Sequence, residues 1–88
     1  MDRFEAMRVF TRVVERRSFT LAAQDLSVPR STVTDAVKRL EARLGVRLLD
    51  RTTRHVSPTL DGEAFHQRCL DAAAEPGFAL NLHHLYSG

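Results

Sequence analysis

At 88 residues the chain has room for one small domain, which excludes a two-domain enzyme, because so short a polypeptide buries only part of the surface its unfolded form exposes. Hydrophobic residues at 43% and charged residues at 27% describe an ordinary globular composition, neither disordered nor membrane-spanning. The formal net charge of +2 is unevenly placed: from Val28 to Val56 seven basic residues (Arg30, Lys38, Arg39, Arg43, Arg47, Arg51, Arg54) oppose three acidic ones (Asp35, Glu41, Asp50), a local +4, and the remainder carries −2.

From Asp2 to Arg17, Phe4, Met7, Phe10, Val13 and Val14 recur at spacings of three and four between charged residues, which predicts an amphipathic helix. Ser18-Phe19-Thr20 interrupts it, and Thr20 is placed to cap a short second helix through Leu21, Ala22, Ala23 and Leu26. Ser27-Val28-Pro29 makes a tight connection, capped by Ser27 or Ser31, to a third helix with Pro29 in its first turn. That helix repeats Val33, Val37, Leu40 and Leu44, and Gly45 stands where a left-handed terminal residue ends it. Val46 to Thr59 turns β-branched and polar, predicting a two-stranded hairpin with its tip near Thr52 to Arg54 and its second strand stopped by Pro58. Thr59 then caps a fourth helix. Its stripe of Leu60, Ala64, Phe65, Cys69, Leu70 and Ala73 is more than a small core is expected to bury, and Glu75-Pro76-Gly77 halts it. Phe78 to Gly88 shows no caps and no clear period.

Helix, short helix, tight turn, longer helix and hairpin together describe a winged helix-turn-helix, a mainly α fold with a three-helix core and a two-stranded wing. The face of the third helix opposite its apolar stripe leaves Arg30, Ser31, Thr34, Asp35 and Lys38 outward. In a major groove, Arg30 would fork onto guanine. Thr34 would meet an edge or a thymine methyl, and Asp35 would accept from a cytosine amine or hold Arg30 or Lys38. Arg51 and Arg54 on the hairpin would reach a minor groove or phosphates. Twelve of the thirteen basic residues are Arg, which suits phosphate and guanine and equally suits a GC-rich genome. Arg39 and Arg43 lie four apart with Glu41 or Asp35 near each, a pattern open to surface ion pairs alone, and Arg43 is read that way.

The stretch SFTLAAQDLSVPRSTVTDAVKRLEARLGVRLLDRTTRHVSPTLDGE resembles the DNA-binding region of LysR-type transcriptional regulators. The likeness rests on Phe10, Ser18-Phe19-Thr20, Ala22-Ala23, Leu26, Val33, Leu40-Glu41, Leu44-Gly45, Leu48, Arg51-Thr52, Thr59 and Gly62, and it covers about Met1 to Ala73. It implies a sequence-specific binder of double-stranded DNA with Arg30, Ser31, Thr34 and Asp35 on the recognition helix and wing contacts from Arg51 and Arg54. Lys38, Ser18 and Thr20 complete the expected contact set. Pro29 stands where the family often has a polar cap, and Asp35 where it often has a basic residue. The resemblance divides the chain into a DNA-binding unit at 1–59 (helix-turn-helix about 18–37, wing about 46–58), a linker helix at 60–75 and a tail at 76–88. The linker helix is expected to form a weak homodimer through Leu60, Phe65, Cys69 and Leu70. The family's effector-binding domain has no counterpart in the sequence, so no small-molecule effector is expected.

Other classes find less support. His66 and Cys69 lie one turn apart, with His83 and His84 beyond a helix break, and no second shell is evident, so neither a metal nor any other cofactor is expected. There is no triad spacing and no glycine-rich phosphate loop, so no enzyme is expected. The rival is a winged-helix interaction module that does not touch DNA; its third helix would present a neutral or apolar face. No apolar run has membrane-spanning length and Met1-Asp2-Arg3-Phe4 is not a secretory start, which makes the cytoplasm the expected compartment.

Overall fold

The computed structural model describes residues 3–52 and 55–73, with the side chains of residues 3, 4, 72 and 73 left aside. In chain order the elements are α1 (Arg3–Arg16), α2 (Phe19–Leu26), α3 (Arg30–Leu44), β1 (Leu49–Arg51), β2 (Val56–Pro58) and α4 (Leu60–Ala73). The apolar spacing of α1 turns Ala6, Met7, Val9, Phe10 and Val13 inward, and all of these but Ala6 share one core cluster with Phe19, Ala22 and Ala23 of α2 and Val33, Ala36, Val37 and Leu40 of α3. Alanines at the α2 contact let the helices approach closely. On the surface, Arg16 Nε lies 3.1 Å and Arg12 Nε 3.9 Å from Asp25 Oδ2, tying α1 to α2.

The helix ends correct two expectations. Ser18, not Thr20, caps α2: its backbone is extended and its Oγ accepts from the Leu21 amide at 3.1 Å. Two hydroxyl residues flank Phe19, and burying that ring inside the helix leaves Ser18 at the boundary. Nor does Ser27 or Ser31 cap α3. Ser27 ends α2 in a left-handed conformation (φ 57°), and Pro29 occupies the cap position of α3 with no side-chain hydrogen bond. The Pro29 carbonyl instead accepts from the Thr32 amide at 3.1 Å. Gly45 closes α3 at φ 73°, donating to the Glu41 carbonyl at 2.8 Å, as its position in the sequence predicts.

The two strands pair antiparallel, Leu49 with Pro58, Asp50 with Ser57 and Arg51 with Val56. Glu41, read from sequence as an ion-pair partner, has another task. Its Oε2 accepts from the Leu48 amide at 2.8 Å and from Leu49 at 3.3 Å, fixing the start of the wing to α3. Thr59 joins the far side: its hydroxyl donates to the Arg47 carbonyl at 2.6 Å and accepts from the Gly62 amide at 2.9 Å. The first turn of α4 thereby presses on Leu48, and a Cβ at Gly62 would collide with the Leu48 carbonyl.

The apolar stripe of α4 divides. Phe65 and Cys69, expected to face a partner, are each 6% exposed and belong to the chain's own core. The Phe65 ring lies 5.7 Å from that of Phe10. Leu60 and Leu70 remain outside at 86% and 43% exposure. The three-helix core accommodates more of the stripe than its size suggests because α4 lies against α1, with Phe65 and His66 on the Phe10 ring. Residues 76–88 lie outside the described residues. Three helices with a two-stranded wing, followed by a fourth helix, make this a winged helix-turn-helix.

Candidate nucleic-acid interface

The outward face of α3 is what its core face leaves over. Arg30, Ser31, Asp35 and Lys38 are exposed and Thr34 is half-buried. Thr34 Oγ1 donates to the Arg30 carbonyl at 3.1 Å, so its proton is engaged within the helix and the side chain offers a methyl and acceptor lone pairs. Asp35 makes no ion pair with Arg30 or Lys38, and among the described residues no ion pair holds any of these three charges. The guanidinium, the ammonium and the carboxylate all keep their donors and acceptors for another molecule.

The ends of the helices add a second term. Neither α2 nor α3 carries an acidic residue in its first turn, whereas α1 has Glu5 there and α4 has Asp61 and Glu63. The partial positive charge of a helix start is thus left uncompensated in the two helices of the turn motif. Thr20 is exposed in the first turn of α2, and the Ser18 hydroxyl, whose oxygen accepts the Leu21 amide, keeps its proton to donate.

On the wing, Arg51 is exposed, and its guanidinium carbon lies 4.7 Å above the centre of the Phe19 ring. This contact between the hairpin and α2 was not foreseen in the sequence, where the two residues are separated by a helix and a turn. Asp50 beside it pairs with Arg47 at 3.9 Å. Arg54, the other expected wing contact, lies outside the described residues.

Among the described residues no three His, Cys, Asp or Glu side chains come together in a way that would hold a metal ion. His83 and His84 fall outside them. The His66 ring packs edge-on to Phe10 at 6.3 Å, and burial pushes the Cys69 thiol up to about 11, with Arg68 pulling weakly the other way. That thiol is protonated at neutral pH and turned inward. No described helix is long and apolar enough to cross a membrane.

The sequence pattern described as "Bacterial regulatory helix-turn-helix protein, lysR family" matches residues 4–63, most of this fold. The chain belongs to the LysR family. It is 49% identical over 69 residues to an HTH-type transcriptional repressor of Pseudomonas aeruginosa (strain UCBPP-PA14), a match that covers 78% of this chain and 22% of the repressor. The LysR-family chain thus spans about a fifth of the length of that curated relative. Among solved structures it is similar to the BenM DBD/catB site 1 DNA complex, with a TM-score of 0.78 at 34% identity over 84% of this chain and 81% of the other. It is also similar to the CbnR DBD–DNA complex, with a TM-score of 0.73 at 36% identity over 83% and 86%.

Proposed function

We propose that this chain binds double-stranded DNA sequence-specifically as a transcriptional regulator of the LysR family, with α3 in the major groove and the wing on the adjacent backbone or minor groove. The observation that carries this reading is the face of α3. Arg30, Ser31, Thr34, Asp35 and Lys38 turn away from the core, and among the described residues the charges of Arg30, Asp35 and Lys38 meet no counter-charge. The rival interaction module would have a neutral or apolar surface there. The similarity to the BenM and CbnR DBDs, each in complex with DNA, supports the same reading.

In this arrangement Arg30, at the first position of α3, forks onto a guanine edge, and Thr34 meets a thymine methyl or a donor group. Asp35 accepts from a cytosine amine, while Ser31 and Lys38 contact the backbone. Thr20, Ser18 and the wing arginines Arg51 and Arg54 line up along phosphates or the minor groove. Residues 1–59 are the DNA-binding unit in this reading, and 60–75 the helix that brings two copies together as a weak homodimer. The chain acts in the cytoplasm and carries no enzymatic activity.

A titration of the chain against duplex DNA at several salt concentrations tests the proposal. Affinity is expected to fall steeply as salt rises, because arginine contacts release condensed counterions. Arg30→Ala and Thr34→Ala are expected to cost about 1–3 kcal/mol each and to relax preference at their own base pairs. Binding indifferent to salt, or specificity profiles unchanged in both variants, would refute it.

A further inference from the structure

We infer that Phe19 is a positioning residue for Arg51: its ring holds the wing arginine where that side chain meets a phosphate of the DNA backbone. The inference rests on the DNA-binding reading above. Phe19 opens α2 and is 4% exposed, so its ring is fixed by the core of the helix-turn-helix. Arg51 closes β1 and belongs to the wing. The 4.7 Å approach of the guanidinium carbon to the ring centre is therefore a bond between the two parts of the molecule that would touch DNA.

The chemistry of the contact leaves Arg51 free to act. The ring meets the cation through its π electrons and supplies no acceptor oxygen, so the guanidinium, with five N–H donors, still has donors for a phosphate. Among the described residues no ion pair holds Arg51, and the first turn of α2 beside it has no acid. A cation set near the positive end of a helix gains nothing from that neighbour, so the placement makes sense with an anion added. A loose arginine must order several rotatable bonds on binding; one already stacked has fewer to order. Because phosphates are the same on every sequence, the pair contributes affinity without base preference.

The test is a double-mutant cycle on the full chain, read as affinity for a random-sequence duplex across a range of salt, with thermal melting of each variant. Arg51→Ala is expected to weaken binding to all sequences alike and to lower the salt slope by about 1. Phe19→Leu keeps an apolar side chain in the core but removes the ring face. It is expected to weaken binding about two- to five-fold when Arg51 is present and to have no further effect when Arg51 is Ala. Equal losses from Phe19→Leu in both backgrounds, or none in either, would overturn the inference. If Phe19→Leu melts too low to assay, Arg51→Lys carries the test, since it keeps the charge without the flat guanidinium. Lysine binding as tightly as arginine would then refute positioning. A wild-type chain that binds no duplex at low salt overturns the DNA-binding reading itself, and a wild type that binds with additive variants overturns only the role of Phe19.

Discussion

Gly62 shows how one hydrogen atom in place of a methyl sets the relation between wing and last helix. On propensity alone, alanine in a helix is better than glycine by about 1 kcal/mol. Here, however, the added Cβ would meet the Leu48 carbonyl, a backbone group that already accepts the Thr59 amide at 3.0 Å and so has little freedom to withdraw. Overpacking costs about 1–3 kcal/mol, and overlap with a backbone carbonyl that cannot move falls at the upper end of that range, above the propensity gain. Gly62→Ala is therefore expected to lower the thermal midpoint by several degrees, at roughly 4–8 °C per kcal/mol for a domain this small. A midpoint that stays or rises would show that the contact yields.

Among the elements, the start of the wing is fixed to α3 by the Glu41 carboxylate. Glu41 serves both the Leu48 and Leu49 amides, and removing it strands two donors beside fully buried leucine side chains. Glu41→Ala is expected to destabilise the chain by about 1–3 kcal/mol and to speed hydrogen exchange at Leu48 and Leu49, while Glu41→Gln, which keeps an acceptor, loses less. Unchanged exchange at both amides in Glu41→Ala would rule this out. The sequence made some of this fold readable and some not. The stripes of Phe10 and Val13, and of Val33, Val37 and Leu40, repeat at the helical period, and Gly45 and Thr59 are local signals that act on their own neighbours. Glu41 reaching Leu48, Gly62 meeting Leu48 and Phe19 lying under Arg51 are contacts between elements, set by how helices and hairpin dock. The choice between Ser18 and Thr20 as cap turned on which side of Phe19 the helix begins, a matter of core geometry.

For the whole molecule, the division of α4 moves the dimer seam proposed for it. With Phe65 and Cys69 inside, the exposed residues on the face that carries both outer leucines are Leu60, Glu63, Gln67 and Leu70, at spacings of three, four and three, with Asp61, Ala64, Arg68 and Asp71 exposed beside them. Leu60 and Leu70 lie about 15 Å apart along the axis. A two-fold pairing of antiparallel helices would set each Leu60 against the partner's Leu70, with the polar middle between. Two such contacts bury far less than the roughly 1,600 Å² of a standard interface, so association is expected only at high concentration and to be strengthened when DNA presents two half-sites. Leu70→Asp is expected to weaken it at least about tenfold without shifting the melt, because the leucine is 43% exposed in the single chain and its burial between copies counts twice by symmetry. Phe65→Asp should behave differently: a carboxylate 6% exposed beside Phe10 has no partner, so the fold fails before the dimer does. Sedimentation of the two variants beside their melting curves separates these outcomes. A Leu70→Asp chain that dimerises like wild type would place the seam elsewhere, and a folded Phe65→Asp chain that has lost only its dimer would return the interface to the inner stripe.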